Sequence, residues 1–239
     1  MRSEITEFSY GFALTREFVD NSSLGLMSAP QFPSLTQEGQ IGGGYDVAIN
    51  LGTFLYLQFK LSEYMVGSQA GEGDVLALPY HRFWLMPSSL SLQHEMLLDL
   101  EAAGSTVFYA APRFHLQSEF NTRFANEEVL DQSIFVAPQN IGVLPTTGDH
   151  CVAFDDTSAY RCSKPLQVKT LRGMQVYNQL KTQDARSPET EANRLESVIR
   201  SRDLAIPHLP RRNRRNVWRE ISYLAHSYLH CEVFFRDVR

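Results

Sequence analysis

Apolar positions recur at near-helical spacing over residues 5–18, where Phe8, Phe12, Leu14 and Phe18 predict a first helix that Asp20, Asn21, Ser22 and Ser23 end. Residues 30–44 read as loop, with Pro30, Pro33 and a Gly run. Two aromatic-rich runs, 42–49 and 54–61, then flank the break Asn50-Leu51-Gly52-Thr53 and predict a β-hairpin. A turn centred on Gly52 sets Ile49 against Leu55 and Asp46 against Gln58. Further along, residues 90–103 predict a second helix with Gly104 as its stop, and 105–111 a buried-type strand ended by Pro112. Residues 120–130 predict a third helix, and 133–137 and 151–154 short strands. The chain closes with predicted helices at 166–183, 189–202 and 217–230, separated by a linker at 184–188 and a break at Pro207 and Pro210. Helix, hairpin, helix, strand, short strands and a helical end predict an α/β fold: a small mixed sheet flanked by helices. The expected division is 1–165 and a helical region at 166–239.

Composition is that of an ordinary soluble protein, and no apolar run is long enough to span a bilayer. Glu4 stands where a signal peptide would turn apolar, and Cys151, Cys162 and Cys231 form no Cys-x-x-Cys pair. A cytoplasmic protein without a membrane partner is expected. The net charge of −5 hides an asymmetry. Residues 1–160 carry 6 Lys+Arg against 19 Asp+Glu, and residues 161–239 carry 16 against 8. Either a basic end meets phosphates beside an acidic half, or the two halves neutralise each other in the fold.

The expected chemistry sits in the hairpin. Gln58 and Lys60 are two apart and share one strand face, while Leu55, Leu57, Phe59 and Leu61 on the other suit a core. With Asp46 opposite Gln58, a carboxylate, a carbonyl oxygen and an ammonium converge, which suits a hard cation and an activated water. Arg211, Arg212, Arg214 and Arg215 suit phosphate contact, and Trp218 beside them is read as core more readily than as a base-stacking platform. His94 reads as a satisfied histidine, and Arg113 and His115 fall near a sheet edge. The spacing of His150, Cys151, Cys162, His230 and Cys231 matches no zinc finger or ribbon. No Walker loop is present, and the triple Gly precedes a strand, the wrong context for a phosphate loop.

An Asp on one hairpin strand and Gln58-Phe59-Lys60 on the next, after a helix carrying a Glu, resembles the PD-(D/E)xK nuclease superfamily, with its restriction-endonuclease-like core. The Gln-x-Lys form and the approach Gly42-Gly43-Gly44-Tyr45-Asp46 resemble its Mrr-like branch. The resemblance covers roughly residues 1–111. It departs from the pattern at Tyr45, where the family has Pro, and at Gln58, where it has a second carboxylate. It implies a Mg²⁺-dependent endodeoxyribonuclease, with Mn²⁺ as a substitute, that hydrolyses phosphodiester bonds of nucleic acid, DNA foremost. Asp46, Gln58 and a helix Glu would hold the metal; Glu7 is the first choice, with Glu17 and Glu38 as rivals. Lys60 would orient the water or stabilise charge on the phosphorane. By the same resemblance a role in bacterial anti-phage defence is expected, as part of a complex or homo-oligomer. The opposing expectation is a catalytically inactive protein of this fold, serving as a binding or assembly module. Gln58 in place of a carboxylate and the acidic half favour it.

Overall fold

Two β-sheets and seven α-helices make a mixed α/β fold among the described residues of the computed structural model, which are 1–21, 54–67, 75–184, 186–206 and 216–234. Asp46, Glu38, Arg211, Arg212, Arg214 and Arg215 lie outside them, as does the first strand of the expected hairpin. The elements in chain order are α1 (Glu7–Asn21), β1 (Leu55–Phe59), β2 (Glu63–Met65), β3 (Tyr80–Leu85), α2 (Gln93–Ala102) and β4 (Thr106–Pro112). They continue with α3 (Gln117–Ala125), β5 (Ser133–Val136), α4 (Pro138–Ile141), β6 (His150–Phe154), β7 (Ala159–Arg161) and β8 (Leu166–Gln167). The chain ends with α5 (Gly173–Lys181), α6 (Pro188–Arg200), α7 (Asn216–Leu224), a π turn at Ala225–Leu229 and β9 (Glu232–Phe234).

The central sheet has the order β5-β4-β1-β9. β1 runs parallel to β4, with Gln58 against Tyr109, and antiparallel to β9, with Leu57 against Glu232. Parallel neighbours need a crossover, and the connection between them contains α2. Both edges of β1 are thus taken over Leu55–Leu57, which corrects the expected hairpin register of Ile49 against Leu55. The nearest apolar run in sequence is a natural guess for a partner, but a strand from the far end of the chain fills that edge.

β1 is buried on both faces, not one. Leu55, Leu57 and Phe59 pack in one core with Tyr10, Leu14, Phe18, Phe108, Phe135 and Val176. Phe54 and Tyr56 pack in a second with Tyr109, Leu97, Leu195, Ile221, Phe83 and Val152. That second core draws on α2, α6, α7 and the antiparallel sheet β2-β3-β6-β7-β8. The cores therefore do not divide at 165/166, since helices of 166–239 line the second one and β9 extends the central sheet. Charges also pair across that boundary: Arg202 Nε donates to Asp99 Oδ2 at 2.7 Å.

Helix α1 turns an unexpected stripe inward. Tyr10, Ala13, Leu14, Glu17 and Phe18 are buried, while Phe8 and Phe12 are 59% and 49% exposed. Two apolar stripes compete on this helix, and Gly11 decides between them. A Cβ at Gly11 would stand 2.5 Å from the Phe59 ring, so only glycine lets the helix lie this close to β1. Elsewhere the expected helix over 166–183 is shortened. Residues 166–167 form β8, Leu171 bridges Phe135, and the helix begins at Gly173.

Candidate active site

The parallel pair β1 and β4 ends at one sheet edge, where Lys60 N–H donates to Ala110 O at 2.8 Å. Ligands in open α/β sheets gather at such carboxyl ends. Gln58 and Lys60 point to one face there, as the spacing requires. Lys60 Nζ lies 5.9 Å from the centroid of the Tyr109 ring. Among the described residues it forms no ion pair.

Glu7, in the first turn of α1, lies near enough for its carboxyl to feel the Lys60 charge. The lead-in to that helix is fastened down: Glu4 N–H donates to His115 O at 2.8 Å, and Glu4 Oε2 accepts from Gln117 N at 3.0 Å. Gly11, one turn after Glu7, rests on Phe59, one residue before Lys60. Burial pushes the Glu7 carboxyl above its ordinary range, and the Lys60 charge pulls it back in part. This carboxyl makes no hydrogen bond within the described residues. A half-buried acid without a bond among the described residues, near a lysine, is the kind of group a cation or a proton can satisfy.

Gln58 is 1% exposed and held on both ends of its amide. Its Oε1 accepts from Gln93 Nε2, and its Nε2 donates to Phe59 O at 3.1 Å. Gln93 Nε2 also reaches Leu229 O in the π turn, at 3.4 Å. A carbonyl oxygen has two lone pairs, so one stays open to a hard cation. Gln93 was not among the expected site residues. Its only sequence signal was its place at the start of the helix after the Gln-x-Lys strand.

Two histidines feel the Lys60 charge, and burial lowers the pKa of both His94 and His230. His94 is satisfied, as the sequence suggested. Its Nε2 donates to Gly142 O at 2.9 Å, which leaves Nδ1 to accept from Tyr109 O–H at 2.9 Å. Its role is to hold Tyr109, over which Lys60 lies.

Glu17, a rival for the metal, serves the fold. Its two oxygens accept from Val129 N at 2.9 Å and Leu130 N at 2.7 Å, and it is 3% exposed. Among the described residues no three His, Cys, Asp or Glu side chains cluster as a metal site. Glu7 and Gln58 each carry an oxygen of the kind Mg²⁺ takes. The side chain of Trp218 is outside the described residues. Arg113 and His115 follow β4 at its carboxyl end, as expected.

No protein-family model matches the chain, no curated protein matches it, and no solved structure matches it. Among the described residues no helix is long and apolar enough to cross a membrane.

Proposed function

We propose that this chain is a metal-dependent nuclease acting on DNA, built on a restriction-endonuclease-like core, with Glu7, Gln58 and Asp46 as metal ligands and Lys60 as the catalytic cation. The observation that carries the reading is the shared face of Gln58 and Lys60 at the carboxyl end of the parallel pair β1 and β4, with the Lys60 charge felt at the Glu7 carboxyl. These groups come from two elements far apart in sequence, and the contact of Gly11 with Phe59 seats α1 on the strand face opposite Gln58 and Lys60. The parallel pairing of β1 and β4 supports the core assignment.

When bound, Mg²⁺ would polarise a phosphoryl oxygen and lower the pKa of a water. The chain's own residues set the stage. Glu7 presents an oxygen that no described residue satisfies, Gln93 fixes the rotation of the Gln58 amide, and Lys60 offers protons to charge developing on the phosphate. Tyr109, held by His94, supports the ammonium from below.

The test is incubation with supercoiled plasmid, linear duplex and single strands in Mg²⁺, Mn²⁺ or EDTA. Metal-dependent cleavage is expected, with Lys60→Ala and Asp46→Ala each slower by at least about a hundredfold while staying folded. Full cleavage by either variant would sink the assignment. The second reading, a binding module without catalysis, draws on the engagement of the Gln58 carbonyl by Gln93. It expects no heat of Mg²⁺ binding in calorimetry, whereas the nuclease expects heat that Asp46→Ala removes.

A further inference from the structure

The sheet row that carries Lys60 has a second cationic group at its far side, beyond the buried Ala111 and Ile134. Beyond β5, Leu171 pairs with Phe135 through both backbone bonds, so the next residue, Arg172, stands level with Ile134. Ile134 pairs with Ala111, and Ala111 lies level with Lys60. The row Lys60, Ala111, Ile134, Arg172 crosses the sheet in three steps of about 4.8 Å each. Arg113 follows one pleat beyond Ala111 on the same face, its backbone N–H still bonded to Gln132 O at 2.8 Å.

Arg113 and Arg172 converge. Arg113 pairs with the Asp156 carboxylate, and Arg172 Nη2 donates to the Asp156 backbone oxygen at 3.0 Å. Arg172 Nη1 is buried and has no hydrogen-bond partner among the described residues. Arg123 stands near enough for its charge to be felt at Arg113, and its own Nη1 donates to Glu128 at 2.5 Å. The Asp155 carboxylate is engaged by Thr157 N–H, Thr157 O–H and Ser158 N–H at 2.7–2.9 Å. Carboxylates therefore match Arg113 and Arg123, while Arg172 meets only a backbone oxygen. The side chain of Asp156, 84% exposed against 16% for Arg113, is the one piece that can swing out. Burial and the charges of Arg172 and Arg123 depress the pKa of Arg113, and the Asp155 charge restores it in part.

We propose that Arg113 and Arg172 form a seat for a phosphate of the polynucleotide strand, flanking the one at Lys60, and that Asp156 occupies it until a phosphate displaces it. Paired guanidinium forks suit phosphate oxygens, and a planar fork with an idle, buried N–H is built for such an acceptor. The seat explains how a strongly acidic half of the chain can hold a nucleic acid. The identity of the ligand rests on the nuclease reading, and the test keeps the two apart.

The measurement is fluorescence anisotropy of a labelled DNA duplex, with an RNA duplex beside it, across a salt series in EDTA. Arg172→Gln is expected to weaken binding about tenfold and to reduce the magnitude of the log–log salt slope by about 0.9, the share of one phosphate contact. Asp156→Asn, on an exposed side chain, is expected to tighten binding several-fold. Wild-type affinity and slope in both variants, or no binding by the wild-type chain, would overturn the seat. Undiminished cleavage by Lys60→Ala would remove the nuclease reading and leave the seat untouched, since no arm of this measurement depends on cleavage.

Discussion

The two ends of β1 treat a carboxylate in opposite ways. Near its start, Tyr56 O–H donates to Glu191 at 2.9 Å, and Ser105 and Arg194 complete the set at 2.5 and 3.0 Å. Glu191 is wholly buried and fully partnered, and it pins α6 to the central sheet. Near the end of the strand, Glu7 is half-buried, and among the described residues it makes no hydrogen bond and feels the Lys60 charge. A buried charge whose partners are all supplied by the fold is architecture. One whose partners are missing awaits something from outside. Glu17 sharpens the contrast because it shares a helix with Glu7: ten residues on, it is closed by two backbone N–H groups.

The largest expected effect lies at the partnered end. Glu191→Ala leaves Arg194 and the Tyr56 hydroxyl unpaired in the interior, and should destabilise the fold by about 3–5 kcal/mol. Chemical denaturation at neutral pH measures it. A loss below about 1 kcal/mol would show that water replaces the carboxylate and that the contrast is false. Next comes Glu17→Ala, which orphans the N–H groups of Val129 and Leu130 and should cost about 2–4 kcal/mol. Its cleavage at a temperature where it stays folded should match the wild type. A metal-binding defect in that variant would return Glu17 to the site.

Helix order, the crossover α2 and the strands 106–112, 133–136 and 150–154 were legible because each rests on a local period or a local stop, such as Gly104 with its φ of +91°. The pairings that complete the sheets were not. β3 carries His81 and Arg82 in mid-strand, which break the alternation, and its partner β6 lies far away in sequence. β9 is three residues long, with nothing local to mark it. The inward stripe of α1 was hidden for another reason, since Phe8 and Phe12 are as apolar as the residues that bury. Within the site, Gln58, Lys60 and Glu7 could be named from spacing and resemblance, whereas Gln93, the Gly11–Phe59 contact and the Arg113–Arg172 pair exist only through tertiary contacts.

A third test asks whether the rest of the interior is as settled as Glu191. His81 stacks on Phe154, neighbours Tyr64 and His115, and has its pKa lowered by burial to about 4; burial lowers His226 to about 4 as well. An unfolded histidine takes up its proton near pH 6.5, so between there and pH 4 the unfolded chain binds protons that the folded chain refuses. Stability is full above about pH 6.5 and should fall as pH drops toward 4, by about 2–3 kcal/mol for each histidine. Thermal melts across that window measure the fall, and His81→Phe should remove roughly half of it. A flat profile would mean that these rings gain partners on protonation.

The smallest expected change in stability belongs to Glu7. Burial raises its pKa even against the Lys60 charge, so the folded chain holds the ionised form less readily than the unfolded chain does. For a carboxyl shifted this way, stability is highest below the unfolded pKa and declines as pH rises through the folded one. Glu7→Gln removes that charge while keeping the shape. Its melting temperature at neutral pH should therefore equal or slightly exceed that of the wild type, in contrast to Glu191→Ala. Mg²⁺ affinity should fall by about tenfold or more, since one hard anionic oxygen has been lost. The two readouts move in opposite senses only if Glu7 is held for a ligand. A variant that melts well below the wild type and binds Mg²⁺ equally would make Glu7 a second Glu191, a structural carboxylate, and β1 would then have the same character at both ends.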